Sequence, residues 1–206
     1  MRNDQAIGHV GLVAVGHLRD EKDPLTLMVA AELLPAGSPI RIHHIGRALD
    51  EALGARARQT MQQCGHYRWL GGLPADAARR WIARSRALVH MSRMEGGANV
   101  VIEAVRSRVP VLASRIDGNV GLLGRDYDGY FPTGEAPALA ALMQRFASDA
   151  RFARHLAVQC CVREPRFMPA EESRAVRELL ADMLARRPQR AADTISASLP
   201  DTDTTS

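Results

Sequence analysis

Glu95 and Glu103 lie eight positions apart, and the stretch between them opens Gly96-Gly97-Ala98-Asn99. Small residues let a ligand approach the backbone closely. Where they lead into a helix, the free N–H groups and the helix dipole attract an anion such as a phosphate. A carboxylate accepts hydrogen bonds at two oxygens, so it can hold a vicinal diol such as a ribose. Asn99 falls at the helix start, and Glu103 follows four residues later on the same face. Lys22 is the only lysine; every other strongly basic side chain is arginine. A compact ammonium on a flexible stem is a good point-charge partner for a diphosphate. These types and spacings suit a nucleotide sugar, with one carboxylate for the ribose, one for sugar hydroxyls and a cation between them. Spacing alone fits equally well a helix flanked by two solvated glutamates and a surface lysine at a helix start.

The elements that must position these residues alternate. Val10–Gly16, "VGLVAVG", is a short valine-rich run that suits a buried parallel strand. Asp23-Pro24 then opens a helix, with aspartate as its cap and proline in its first turn. Ile40–Gly46 is a second strand, followed by a helix over Asp50–Gln63. "YRWLGGLP" gives a short strand and a turn, and Pro74 starts a helix reaching Ser85. "ALVHMS" is a strand, "NVVIEAVRSR" a helix, "PVLAS" a strand, "NVGLL" a helical turn and "GYF" a last short strand before a helix over Glu135–Ser148. Strand-helix alternation predicts right-handed crossovers and an α/β, Rossmann-like, doubly wound parallel sheet of about six strands. Beyond Asp149 the pattern is all helix. In such a sheet ligands bind beyond the carboxyl ends of the strands. The loops "GHLRDEKDP", "GGLP", "SRMEGGAN" and "SRIDGN" all fall there.

Composition narrows the function. At 46% hydrophobic the chain can bury a core, and its net charge of +4 is spread among acids rather than gathered in a block. Aromatics at 4% leave no stacking platform for single-stranded nucleic acid. Three cysteines, Cys64, Cys160 and Cys161, form no disulfide framework and no C-x-x-C, which suits a reducing cytoplasm. No apolar stretch reaches the roughly 18–20 residues that span a membrane, and no charged segment precedes an apolar run at Met1. Asp126-Tyr127-Asp128 resembles a metal D-x-D but reads as a chance match. His43 and His44 alternate faces of a strand and cannot both ligate one metal. "GHVG" and "GHLR" lack G-x-G-x-x-G spacing, against a nicotinamide oxidoreductase. No metal and no cofactor are expected.

"SRMEGGANVVIEAVRSRVPVLAS" resembles the signature of family 4 glycosyltransferases of the GT-B fold, a glutamate, seven residues and a second glutamate, here Glu95 and Glu103. "GHLRDEKDP" resembles that family's diphosphate loop, with Lys22 at its lysine and His17 where arginine is often found. "YRWLGGLP" resembles the segment whose backbone reads the nucleobase, which points to Gly71 and Leu73. The resemblance covers about Val10 to Ser148 and implies the C-terminal, donor-binding half of such an enzyme. Within the family, "YRWLGGLP", "SRMEGGANVVIEA" and "VPVLASRIDGNVGLLGRDYDGYFPTGE" resemble the selenosugar synthases. "DGNVGLLG" (Asp117–Gly124) replaces the usual Gly-Gly-acidic segment and favours this branch.

The resemblance implies residue roles. Glu95 with the N–H groups of Gly96 and Gly97 would hold the donor sugar and its leaving phosphate, beside Ala98 and Asn99. Glu103 would bind the ribose. Lys22 would neutralise the diphosphate as the glycosidic bond breaks, helped by His17 or Arg19. Asn119, with Val120 and Gly121, would line the sugar pocket, unless that stretch is a plain turn. The implied donor is a UDP-sugar, UDP-N-acetylglucosamine, and the implied acceptor is selenophosphate. The implied organisation is a nucleotide-sugar domain over 1–187 and a disordered polar tail over 188–206. The half that carries the acceptor site in GT-B enzymes has no counterpart, so a separate N-terminal half or a second copy would complete the cleft. The last helices, which normally cross back to that half, would leave an apolar patch exposed. Two other readings stay open: a family 4 transferase with a carbohydrate or lipid acceptor, and a non-catalytic nucleotide-sugar-binding module.

Overall fold

The computed structural model describes residues 8–185, which divide after Phe167 into two compact units. The expected tail over 188–206 lies outside the described residues.

Six parallel strands form the sheet of the first unit: β1 (Val10–Val15), β2 (Ile40–Ile45), β3 (Tyr67–Trp69), β4 (Ala87–His90), β5 (Val111–Ser114) and β6 (Tyr130–Phe131), in the order β3-β2-β1-β4-β5-β6. β1 is central. Leu12 pairs with Ile42 on one side and Ala87 on the other. Leu12, Val13 and Ala14 are fully buried, as are Ala87 and Leu88 of β4 and all of β5's apolar residues. Strands covered on both faces need continuous apolar runs, which is why they are legible as such.

Among the described residues, seven helices connect and cover the sheet: α1 (Pro24–Glu32), α2 (Glu51–Gln63), α3 (Ala75–Arg84), α4 (Asn99–Arg106), α5 (Asp117–Leu123), α6 (Ala136–Ser148) and α7 (Ala150–Arg163). α1 packs on α2 and α6, while α3 and α4 pack together. The predicted turn at "NVGLL" is the greater part of α5. Two aspartates cap as the sequence rules require: Asp50 accepts from Leu53 N at 2.9 Å, and Asp149 from Arg151 N and Phe152 N at 2.9 and 3.0 Å.

Asp23 departs from its expected role. It stands at the start of α1, but no side-chain cap forms, and its backbone is left-handed at φ 45°, a conformation that aspartate tolerates. Its carboxylate is only 1% exposed. It accepts from Thr26 Oγ1 at 2.7 Å and from Arg93 Nη2 at 3.2 Å. A buried charge needs a charged partner more than a helix needs one cap.

The second unit is described by α8 (Pro169–Ala185). Val176, Leu179, Leu180, Met183 and Leu184 on it are exposed, and Arg174 bridges Glu171 and Glu178. Among the described residues no helix is long and apolar enough to cross a membrane.

Candidate nucleotide-sugar site

β1 connects to β2 on one side and has β4 on the other, so the chain leaves β1 and β4 in opposite directions at the sheet's carboxyl edge. A crevice opens at such a reversal. Here it is a cleft of about 590 Å³, lined by Gly16, His17 and Lys22 after β1, Gly46 and Arg47 after β2, Gly72, Leu73, Ala75 and Ala78 after β3, and Glu95, Gly97, Ala98, Asn99, Val100 and Glu103 after β4.

Buried groups set the floor. His44 is fully buried. Its Nε2 lies 3.2 Å from the Gly16 carbonyl and its Nδ1 2.8 Å from the Tyr67 hydroxyl. A carbonyl can only accept, so Nε2 carries the proton and Nδ1 accepts from tyrosine. Burial pushes the His44 pKa down to about 4, outweighing the Gly16 contact. The same burial raises Tyr67 far above its usual value. β1 and β2 meet closely beyond their ends: a Cβ on Gly46 would fall on the Gly16 carbonyl oxygen. Gly46 is held by its own N–H to the Gly71 carbonyl at 2.8 Å and by Trp69 Nε1 at 2.8 Å to its carbonyl.

Lys22 and Glu95 form an ion pair between the loops after β1 and β4. Ser92 Oγ donates to the same glutamate oxygen at 2.9 Å, and His90 Nε2 stands 3.8 Å away. Burial pushes the Glu95 pKa up, but the hydrogen bonds from Lys22 and Ser92 and the ammonium charge outweigh it, leaving the carboxyl below its ordinary value. His90 is buried, which lowers its pKa to about 4 despite the Glu95 charge, so it is neutral near pH 7. Two further contacts tie the same loops: Arg93 N–H donates to the Glu21 carbonyl at 2.9 Å, and the Arg93 side chain reaches Asp23. Beneath Glu95, α5 approaches so closely that a Cβ on Gly118 would fall on the Glu95 carbonyl oxygen. A smaller hollow of about 310 Å³ lies on the other flank of Glu95, lined by Arg93, Met94, Ile116, Asp117 and Gly118.

Most expected residues converge. Lys22, Glu95, Gly97, Ala98, Asn99, Glu103, His17 and Leu73 all line the cleft. Glu103 faces Arg79 at 3.8 Å. Four expected residues do not line it. Arg19 points into an exposed pair with Glu21 at 3.7 Å. Gly71 supports Gly46 from behind, and Gly96 gives place to Gly97. Asn119 is the clearest correction: it is fully buried, and its Nδ2 donates to the Ser114 carbonyl at 2.8 Å. Ser114 Oγ in turn donates to the Ser92 carbonyl at 2.6 Å. The Ser114 carbonyl accepts from both Ile116 N–H at 3.0 Å and the Asn119 amide, so Asn119, buried within α5, braces β5 and the Ser92 loop and does not line the cleft.

Sequence reasoning passed over Arg47, Ser92, His90 and Asp117. Arg47 follows a strand, and the rule that ligand loops follow strands applies equally to "GRAL". Ser92, three residues before Glu95, carries the signal of a local hydrogen-bond donor. His90 sits at the end of an apolar strand, where its ring contacts Ser92 two residues on at 3.3 Å, and Asp117 opens a helix too short to show a pattern.

Asp126 pairs with Arg163 at 2.7 Å and Asp128 with His155 at 2.6 Å, so the D-x-D is engaged structurally. Among the described residues no cluster of three or more potential metal ligands occurs. Cys160 is buried in α7 and Cys161 exposed on it.

A doubly wound parallel sheet with its cleft at the strand-order reversal defines a Rossmann-like domain. The family model for glycosyl transferases group 1 matches residues 9–159, and the chain belongs to that family. Solved structures show the same fold. Anabaena Alr3699/HepE in complex with UDP and glucose superposes with a TM-score of 0.74 at 19% identity, over 86% of this chain and 50% of that one. A point mutant of TarM from S. aureus, in complex with Fondaparinux, alpha-GlcNAc-glycerol and UDP, gives 0.70 at 16%, over 84% and 35%. The pneumococcal O-GlcNAc transferase GtfA, in complex with UDP and GlcNAc, gives 0.70 at 16%, over 85% and 36%. The chain thus spans half or less of the length of these proteins.

Proposed function

We propose that this chain binds a UDP-sugar and supplies the donor site of a glycosyltransferase that moves an N-acetylhexosamine, from UDP-N-acetylglucosamine, to selenophosphate. One observation carries the reading. Lys22 from the loop after β1, Glu95 from the loop after β4, and Asn99 and Glu103 from α4 line a single cleft at the strand-order reversal. Family membership supports the glycosyl-transfer class, and the fold is shared with proteins whose structures hold UDP with glucose or GlcNAc. The selenophosphate acceptor rests on the sequence resemblance around Asp117–Gly124.

In this reading Glu103 accepts from the ribose hydroxyls, and the start of α4 with Gly97 N–H faces the diphosphate. Lys22 releases Glu95 and turns to the phosphates, while Glu95 turns to the sugar. The bond between the anomeric carbon and the phosphate oxygen breaks, its electron pair leaves with UDP, and a carbon–selenium bond forms. The growing negative charge on UDP is what Lys22 and the helix start must meet. No metal or other cofactor is required of the described side chains, because Lys22 supplies the counter-charge.

A carbohydrate acceptor is the second reading, favoured by the carbohydrates in the complexes of the structural relatives. Calorimetric titration with UDP, UDP-N-acetylglucosamine and UDP-glucose tests donor binding. Selenosugar formation, followed by mass spectrometry with selenophosphate and with sugar acceptors, separates the two. Failure to bind any UDP species would remove the reading.

A further inference from the structure

Three cationic or basic side chains line the cleft: His17, Lys22 and Arg47. Two of them bring little free positive charge. Lys22 is already paired with Glu95. His17 has its pKa lowered by partial burial and by the charges of Arg47, Arg19 and Lys22, so it is neutral near pH 7. Its Nδ1 is also occupied, accepting from the Arg47 backbone N–H at 3.1 Å. Arg47 differs from these two: among the described residues its guanidinium has no carboxylate partner, and it lines the cleft. Its backbone is fixed, because its carbonyl accepts from Leu18 N–H at 2.9 Å. Its stem runs over Gly72, where a Cβ would strike Arg47 Cγ. Among the described residues Arg47 is the one arginine that lines the cleft, and a guanidinium free of carboxylates there, on a fixed backbone beside a glycine that leaves room for its stem, is placed to receive an anion.

We infer that Arg47 is a substrate-binding residue for the nucleoside diphosphate, supplying from the β2 loop the cation that His17 does not provide. The inference rests on the UDP-sugar reading of the cleft. The diphosphate lies between Lys22 and Arg47, so that the two loops that meet at Gly16 and Gly46 each contribute one charge. A guanidinium can donate two parallel hydrogen bonds to phosphate oxygens, which an imidazole cannot.

The test is calorimetric titration of the full chain and of Arg47→Ala and Arg47→Lys with UDP, uridine and inorganic pyrophosphate. The expected result is a loss of UDP affinity of about tenfold to a hundredfold in Arg47→Ala, the range of a charged hydrogen bond. Pyrophosphate should weaken in parallel, uridine should change less than about twofold, and Arg47→Lys should recover part of the loss by charge alone. Circular dichroism confirms that each variant is folded. If wild type binds UDP and Arg47→Ala binds it as well, the assignment falls while the donor-site reading stands. Equal losses for uridine and UDP would place Arg47 against the base and overturn the assignment too. If wild type binds none of the three, the donor-site reading itself falls, and this inference with it.

Discussion

Lys22 and Glu95, 73 positions apart in the chain, are joined as an ion pair across the mouth of the cleft. The pair keeps two functional side chains from being left as uncompensated, half-buried charges while no ligand is present. On the proposed UDP-sugar reading, an arriving diphosphate takes the ammonium from the carboxylate.

Lys22→Ala should therefore weaken UDP more than uridine, since only UDP carries the charge that lysine meets. Paired calorimetric titrations check this. Equal losses for the two ligands would mean that Lys22 acts through the loop it anchors and not through phosphate.

Glu103→Gln keeps the shape of the side chain and removes its charge. UDP binding should weaken by about 1–3 kcal/mol, the range for a charged hydrogen bond. A folded variant with wild-type affinity would take Glu103 out of the site.

Asn119→Ala removes a fully buried donor to the Ser114 carbonyl. Stability should drop by about 0.5–1.5 kcal/mol, the net worth of one hydrogen bond whose acceptor keeps a second donor in Ile116 N–H, as read by urea unfolding followed through Trp69 and Trp81. UDP affinity should stay within about threefold. A folded variant that loses UDP outright would restore Asn119 to the sugar pocket.

Acid should destabilise the first unit. His44 and His90 have folded pKa values of about 4 against an ordinary 6.5, both because of burial. Below 6.5 the unfolded chain takes up protons that the folded chain refuses, so stability is full above that pH and is lost as pH falls toward 4. Each histidine adds a slope of about 1.4 kcal/mol per pH unit within that window. Glu95, held below its ordinary value, works in the same direction at lower pH. Unfolding curves at several pH values, with His44→Gln beside wild type, should show about one proton's worth of slope removed. An unchanged slope would contradict the neutral assignment of His44.

The sheet was legible because burial on both faces writes itself as uninterrupted apolar runs, as in Val10–Gly16 and "ALVHMS". The cleft residues at Lys22, Glu95, Asn99 and Glu103 were legible because they follow strands or share a helical face. Asn119 was misread because its short helix gives too few residues for a pattern, and only the Ser114 carbonyl decides where its amide turns. The Arg93–Asp23 contact was hidden for a related reason: its two residues are 70 positions apart, and local spacing carries no record of it. Arg47 was legible by the rule that ligand loops follow strands, and was passed over.

At the level of the gene, Gly46 is a position without neighbours. Every single-base change in a glycine codon that puts another amino acid there introduces a Cβ, and at 46 that carbon would land on the Gly16 carbonyl oxygen. Gly96 and Gly97 are unlike it, since an added Cβ there meets nothing within 4 Å. One lip of the cleft is thus closed to drift while the other stays open to alanine or serine. Change in what the cleft admits has a route through the second lip that the first does not offer.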